Sequence, residues 1–136
     1  MHLARRAWCR TYQTVFRIAL PVLPYTEPRI LEHAEDVPAV LQKRSIQKVL
    51  IVKDPGIARL GLTASLERAL TAQGIAVTVY AETRVNPTVS NVEEAAALYR
   101  ENDCRAIIGF GGGSAMDCAK GVGARIAQPN KPINKM

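Results

Sequence analysis

Three short runs of apolar residues predict three β-strands. In 48–54, four consecutive aliphatic residues are flanked by charge, and Pro55-Gly56 is expected to break the strand. Runs 75–80 and 105–109 have a similar character. Continuous rather than alternating apolar runs of this length are typical of strands covered on both faces, as in parallel sheets.

Apolar residues at helical spacing fill the intervals between these runs. One helix is predicted over 34–45, with Asp36 as its cap and Pro38 in its first turn. A second ends at Gly74, a natural C-terminal stop. Its apolar positions are Leu62, Leu66, Ala69 and Leu70.

Two more helices follow along the chain. Ser90 and Glu93 have the spacing of a capping box, and the helix that they open is expected to end near Asn102. The last helix contains Gly121 and Gly123. Each interior glycine costs about 1 kcal/mol relative to alanine, so the pair predicts close backbone packing.

Strands and helices therefore alternate with short links. This order predicts an α/β fold, a Rossmann-like parallel sheet with flanking helices in three layers. Ligands of such sheets bind at the carboxyl ends of strands. Two features lie at such ends, Asp54 and the glycine turn 111–114.

The first 26 residues differ from the rest of the chain. Four arginines and no acidic residue fall within the first twenty positions, as in a transit peptide. Trp8, Tyr12 and Phe16 have the spacing of one helical face, whereas the apolar residues of 15–23 could instead form a strand ended by prolines. From the residues alone, a targeting sequence and a segment of the folded protein are both open at this point.

Charge and composition exclude several classes of function. The 136-residue chain has a net charge of +6, but outside the first twenty residues 14 basic residues face 12 acidic ones. That balance, with few aromatic residues, predicts no nucleic-acid partner. No apolar run is long enough to span a membrane, so no membrane partner is expected.

The possible metal ligands are few. Three cysteines without CxxC spacing indicate reduced thiols and a cytoplasmic protein. The only histidines are His2 and His33, so no metal-binding residue is predicted in this chain.

The stretch 106–120 carries the strongest chemical signal. An apolar strand leads into Gly111, Gly112, Gly113 and Ser114, and helical periodicity follows. Glycines admit positive φ and close backbone approach, and a helix N-terminus offers free N–H groups to a phosphate. Three consecutive glycines favour phosphate binding over a ligand-free tight turn.

An acid that would bind ribose must come from elsewhere in the chain. Asp117 is the last acidic residue, so none stands about 20 residues after the glycines, where the ordinary dinucleotide fingerprint has it. The Walker pattern is also absent. Asp54 could accept hydrogen bonds from ribose hydroxyls and would repel a 2′-phosphate. From the residues alone, an aspartate that only ends a strand explains this position equally well.

The segment 111–120 also resembles a known family. Gly111-Gly112-Gly113-Ser114-x-x-Asp117-x-Ala119-Lys120 matches the GGGSxxDxAK pattern of the iron-containing (group III) alcohol dehydrogenases, and the resemblance extends over residues 10–136. Val85-Asn86-Pro87-Thr88 resembles the family's PNPT segment, with valine replacing the first proline.

The resemblance implies NAD as the cofactor. It favours the ribose-binding interpretation of Asp54, because the family has an equivalent aspartate associated with NAD preference. The expected cofactor-binding residues are Asp54, Asn86, Gly111, Gly112, Gly113 and Ser114. For Asp117 and Lys120 we prefer a structural interpretation, and no catalytic residue is expected in this chain.

The family's chains are much longer than this one. They continue into a helical domain in which an aspartate and three histidines hold a divalent metal, iron or zinc. The resemblance therefore implies that residues 1–136 are a single NAD-binding domain, the N-terminal portion of a two-domain oxidoreductase. That enzyme would transfer hydride between NAD and a small alcohol or aldehyde, and would form a homo-oligomer when full length. The chain alone is expected to be inactive and marginally stable as a separate domain.

Two other functions stay open at this point. One is a stand-alone nucleotide-binding module without catalysis. The other is a phosphosugar-binding α/β domain, which would use the glycine turn but give Asp54 no nucleotide role.

Overall fold

The structure is a computed structural model that describes residues 10, 11, 13–15, 17, 28–131 and 133. The chain divides into two compact units, Met1–Ile30 and Leu31–Met136. In the first unit, residues 10, 11, 13–15 and 17 are helical, and the Thr14 hydroxyl donates to the carbonyl of Arg10 at 2.8 Å. The predictions that concern Trp8, Tyr12, Phe16 and 18–23 lie outside the described residues.

The second unit alternates strands and helices, as the sequence predicts. Its strands are β1 (Lys48–Val52), β2 (Ala76–Tyr80) and β3 (Ala106–Gly109). Its helices are α1 (Val37–Gln42), α2 (Pro55–Arg59), α3 (Ala64–Ala72), α4 (Val89–Glu101) and α5 (Gly113–Ala127), and a 3-10 turn over Ala34–Asp36 precedes α1. In the described part of the chain, no helix has the length and apolar character needed to cross a membrane.

The three strands form one parallel sheet in the order β2-β1-β3. Val52, at the end of β1, pairs with Tyr80 of β2 and Gly109 of β3. Because the strands end in register, the segments that follow all three emerge at the same edge of the sheet.

Helices cover both faces of β1, which confirms the three-layer prediction. Leu50 and Val52 point into a core shared with α4 and α5. Val49 and Ile51 point into the opposite core, which α1 and α3 complete. All four side chains are fully buried, which explains why the strand is apolar at every position rather than at alternate ones.

The structure corrects two predicted helix caps. Asp36 stands at the N-cap position of α1, but its side chain makes no capping hydrogen bond because its backbone is already helical, after the 3-10 turn. The capping box of α4 is formed by Thr88 and Asn91, not by Ser90 and Glu93. Thr88 is extended and can therefore cap the helix, whereas Ser90 already lies inside it.

Three other local predictions have mixed outcomes. Pro55 does follow the end of β1, but Pro55-Gly56 opens α2 instead of only breaking the strand, since proline suits the first turn of a helix. Leu62 is half-exposed and precedes α3, so it does not belong to the helical face formed by Leu66 and Leu70. Gly74 has a φ of +74° and ends α3 as predicted.

Close packing explains one of the two glycines inside α5. A Cβ added at Gly121 would come within 2.9 Å of Cγ2 of Val92 in α4, so the predicted close approach is confirmed there. At Gly123 the prediction is wrong, because an added Cβ would meet no atom within 4 Å.

Candidate nucleotide-binding site

A cavity of about 610 Å³ opens at the carboxyl edge of the sheet. Three segments line it, one after each strand, so residues that are far apart in sequence share one site. They are Asp54, Pro55, Gly56 and Arg59 after β1, Glu82, Thr83, Arg84 and Val85 after β2, and Gly112, Gly113, Ser114 and Ala115 after β3.

Asp54 connects the central strand to the cavity. Its Oδ1 accepts a hydrogen bond from the Ile57 N–H at 3.0 Å and thereby caps α2. Gly56 makes room for this bond, since an added Cβ there would lie 2.9 Å from Oδ1. The other carboxylate oxygen, Oδ2, lies 3.2 Å from the position that a Cβ at Gly111 would occupy. The side chain is thus fixed beside the glycine turn.

The three glycines of the turn do not serve the same purpose. Gly111 has a φ of +136°, and an added Cβ would meet Asp54, Ala115 and Ile57 at 3.2–3.3 Å, so the fold itself requires glycine there. Gly112 has an ordinary extended backbone, and neither Gly112 nor Gly113 has positive φ. A Cβ at either would meet no atom within 4 Å, so the fold does not require glycine at these two positions.

The N-terminus of α5 forms the adjoining wall of the cavity. Gly112 is its N-cap, so no side chain caps the helix, and no acidic residue stands in its first turn. The first N–H groups therefore have no side-chain acceptor within the helix start, and the positive end of the helix dipole faces the cavity. Ser114, in this first turn, adds a half-buried hydroxyl to the same wall.

The structure brings together most of the expected binding residues. Asp54, Gly112, Gly113 and Ser114 line the cavity, and Gly111 stands against Asp54. Asn86 is exposed and has a φ of +57°, but it is not among the lining residues, although its neighbour Val85 is.

Asp117 and Lys120 lie outside the cavity. They form an exposed ion pair with an N–O distance of 3.2 Å on the surface of α5. This pairing agrees with the structural interpretation of both residues.

Sequence reasoning missed one whole wall of the cavity. The four residues 82–85 form that wall and were not among the expected binding residues, although they follow the end of a predicted strand. Arg59, in the segment after β1, was also missed. The signal was available: parallel strands deliver the residues after their carboxyl ends to the same edge of the sheet.

A buried polar network supports that wall from behind. Asn91 is 4% exposed, and its Nδ2 donates to the Tyr80 hydroxyl at 2.9 Å and to the Glu82 carbonyl at 3.1 Å. The Tyr80 hydroxyl donates to the Glu94 carboxylate at 2.8 Å. Burial and this bond to Glu94 raise the pKa of Tyr80 to about 12, so the phenol stays protonated at neutral pH.

A second network fixes the end of β1. Lys53 is 7% exposed, and its ammonium group donates to the Thr63 hydroxyl at 2.7 Å and to the Glu67 carboxylate at 2.9 Å. Partial burial acts to raise the pKa of Glu67, but the hydrogen bonds from Thr63 and Lys53, with the charge of Lys53, outweigh it and lower the pKa. The residue before Asp54 is therefore anchored to α3.

The described residues do not fit a metal site. No group of three His, Cys, Asp or Glu side chains among them could hold a metal ion.

Comparison with known proteins places the chain among known sequences. The family described as iron-containing alcohol dehydrogenase matches residues 30–136. The chain is 34% identical over 103 residues to alcohol dehydrogenase 4 of Saccharomyces cerevisiae (strain YJM789), which covers 76% of this chain and 26% of that protein. It is 42% identical over 82 residues to 4-hydroxybutyrate dehydrogenase of Cupriavidus necator, and the match covers 60% of this chain and 21% of that protein.

Solved structures of similar proteins have the same fold. Sulfoacetaldehyde reductase from Bifidobacterium kashiwanohense, in complex with NAD+, matches with a TM-score of 0.66 and 25% identity over 81% of this chain and 30% of that one. NADH-dependent butanol dehydrogenase A from Thermotoga maritima also matches with a TM-score of 0.66 and 25% identity, and the match covers 77% of this chain and 29% of that one. The chain spans about a fifth to a quarter of the length of the curated relatives.

Proposed function

Because the chain belongs to the iron-containing alcohol dehydrogenase family, we propose that its cavity binds NAD as the cofactor-binding part of such an enzyme. One observation carries the proposal. Gly112 and Gly113 line the cavity, yet neither the backbone conformation nor the packing requires glycine at these positions. A ligand that approaches the backbone closely explains both residues, whereas a ligand-free tight turn explains only Gly111.

Each binding residue has a defined task in this proposal. The N–H groups at the start of α5 and the Ser114 hydroxyl bind the diphosphate, assisted by the helix dipole. Asp54 retains Oδ1 for the cap of α2 and accepts hydrogen bonds from the ribose hydroxyls through Oδ2. Its fixed negative charge repels a 2′-phosphate, so NAD is preferred over NADP. Asn86 stays a predicted cofactor contact.

The relatives support the choice of cofactor. Among the similar structures, one is in complex with NAD+ and another is described as NADH-dependent. When bound, the nicotinamide ring supplies or accepts the hydride of the reaction. The residues of this chain bind and orient that cofactor.

The wider activity rests on the family. We propose that the complete reaction interconverts a small alcohol and its aldehyde in a homo-oligomeric, cytoplasmic enzyme. The family's divalent metal would need ligands from outside the described residues, and without it we expect the 136-residue chain to have no turnover. The free, buried thiols of Cys104 and Cys118 support a reducing compartment.

The first test replaces Gly113 with alanine. The fold has room for the methyl group, so the variant is expected to unfold at the same or a higher denaturant concentration than the wild type. The methyl group would occupy ligand space and weaken NAD binding, as measured by calorimetry. Gly123→Ala, the same change in the same helix but away from the cavity, should leave NAD affinity unchanged.

The second test concerns the choice between NAD and NADP. Asp54→Gly places glycine at the N-cap of α2, where glycine is nearly as favourable as aspartate. The free energy of unfolding should therefore fall by only about a few tenths of a kcal/mol. It removes hydrogen bonds to a charged acceptor, so NAD affinity should fall by about 1.5–3 kcal/mol while NADP binding improves. Asp117→Asn, which also removes one carboxylate charge, is the control. Unchanged relative affinities for the two cofactors in Asp54→Gly would contradict the role of Asp54.

A further inference from the structure

Two arginines line the cavity without a protein partner. Arg59 ends α2, and Arg84 lies in the segment after β2. Neither guanidinium group makes a hydrogen bond or an ion pair with any described residue, whereas Arg125 is held by Glu93 at 2.7 Å. Each leaves five N–H donors available to a ligand in the cavity.

The charges around the cavity divide into two kinds. The acids are Asp54 and Glu82, and the bases are Arg59 and Arg84. These four charges cancel, and the positive end of α5 then leaves the cavity favourable to an anion. One oxygen of Asp54 is already used by the Ile57 N–H. The unpaired arginines are therefore the main side-chain groups in the lining that can neutralise an anionic ligand.

Sheet topology puts Arg84 across from the glycine turn. The segment with Arg84 follows β2, and the turn follows β3, while β1 lies between these two strands. Neighbouring strands are about 4.8 Å apart, so the two walls stand roughly 10 Å from each other at the sheet edge. A group bound to the N–H donors of α5 therefore lies within the reach of an arginine side chain from the opposite wall.

We infer that Arg59 and Arg84 form a second anion-binding element that holds the dinucleotide diphosphate against the glycine turn. The inference rests on the proposed function, since it takes the ligand to be a dinucleotide. A 2′-phosphate is the less suitable partner, because Asp54 and Glu82 share the lining and would repel it. Guanidinium groups bind phosphate oxygens through paired, charge-assisted hydrogen bonds, so both arginines raise affinity for the diphosphate.

The test uses the 136-residue chain with Arg59→Gln, Arg84→Gln and the double substitution. Calorimetry would measure the affinities for NAD, ADP-ribose, NADP and adenosine. Each single variant should weaken NAD and ADP-ribose binding about tenfold, as for loss of one charge-assisted hydrogen bond, and leave adenosine binding unchanged. Arg105→Gln removes another exposed, unpaired arginine that does not line the cavity, and it should bind all four ligands as the wild type does.

Several outcomes would overturn the inference. These are wild-type affinity for ADP-ribose in the double variant, a loss confined to NADP, an equal loss for adenosine, or an equal loss in Arg105→Gln. Gly113→Ala separates this failure from failure of the proposed function. If Gly113→Ala weakens NAD binding and the arginine variants do not, only the role of the arginines is wrong. If the wild-type chain, folded by circular dichroism, binds no NAD, the proposed function fails as well.

Discussion

Gly121 of α5 faces Val92 of α4 so closely that a Cβ at position 121 would lie 2.9 Å from Cγ2 of Val92. Val92 is 6% exposed, and a β-branched side chain in a helix has little freedom to turn away. We expect Gly121→Ala to lower the free energy of unfolding by about 1–2 kcal/mol, because overpacking outweighs the gain in helix propensity.

Urea denaturation of two further variants would check this expectation. Gly123→Ala, which has free space around the new methyl group, should raise the free energy of unfolding by up to about 1 kcal/mol. Adding Val92→Ala to Gly121→Ala should relieve the clash, so the two changes should cost less together than their sum. Equal effects of the two glycine substitutions would contradict the close contact.

Asn91 supports both the cap of α4 and the wall of the cavity. Replacement by alanine removes its bonds to Thr88, to the Tyr80 hydroxyl and to the Glu82 carbonyl, two of which are part-buried and one buried. The free energy of unfolding should fall by about 2–3 kcal/mol, measured by urea denaturation. Asn102→Ala, which removes one exposed bond in the same helix, should change it by about 0.5 kcal/mol or less. Similar losses in the two variants would show that the buried network is weak.

The Lys53–Glu67 pair should make stability fall in acid. The pKa of Glu67 is lower in the folded chain than its ordinary value, so the unfolded chain binds the proton more readily. The ionised Glu67 carboxylate therefore contributes to stability above the pKa that it has in the unfolded chain, about 4.3. This contribution is lost as the pH falls through its lower pKa in the folded chain. Chemical denaturation between pH 7 and pH 3 should show a smaller loss for Glu67→Gln than for the wild type. Glu101→Gln, on an exposed part of α4, should retain the wild-type dependence.

Cys104 and Cys118 should resist thiol reagents in the folded chain. Both are free and buried, and burial raises the pKa of the Cys118 thiol, although the Thr83 hydroxyl acts in the opposite direction. In a Cys9→Ser background, Ellman's reagent should titrate the two remaining thiols rapidly only after denaturation. Adding an exposed cysteine through Glu101→Cys should give one equivalent of thiol that reacts rapidly in the folded chain. Rapid reaction without that cysteine would contradict the burial of these thiols.

The apolar pattern was sufficient to predict the sheet. Val49, Leu50, Ile51 and Val52 are apolar without alternation, and a central strand with helices on both faces buries all four. The position of Asp54 at the end of that strand followed from the same reasoning. Secondary-structure order and the carboxyl-edge rule therefore located two of the three walls of the cavity.

Local chemistry was less predictable because several residues could perform the same task. Ser90-x-x-Glu93 and Thr88-x-x-Asn91 overlap, and only the extended backbone of Thr88 decides which pair caps α4. Gly121 and Gly123 look equivalent in sequence, but only one of them faces Val92. Such differences depend on where one helix turns toward another, which a single sequence does not state.

The central position of β1 has a consequence for motion. Its backbone pairs with β2 on one side and β3 on the other, and the Lys53 N–H continues this pairing to the Tyr80 carbonyl at 2.9 Å. Amides in such a strand should exchange their hydrogens with solvent only when the sheet itself opens, whereas β2 and β3, which pair on one side only within the described part of the chain, can each detach alone. Asp54 follows directly after this segment, which we expect to exchange slowest. Its carboxylate would thus remain a fixed reference point while the segment 82–85 and the glycine turn adjust around an entering ligand.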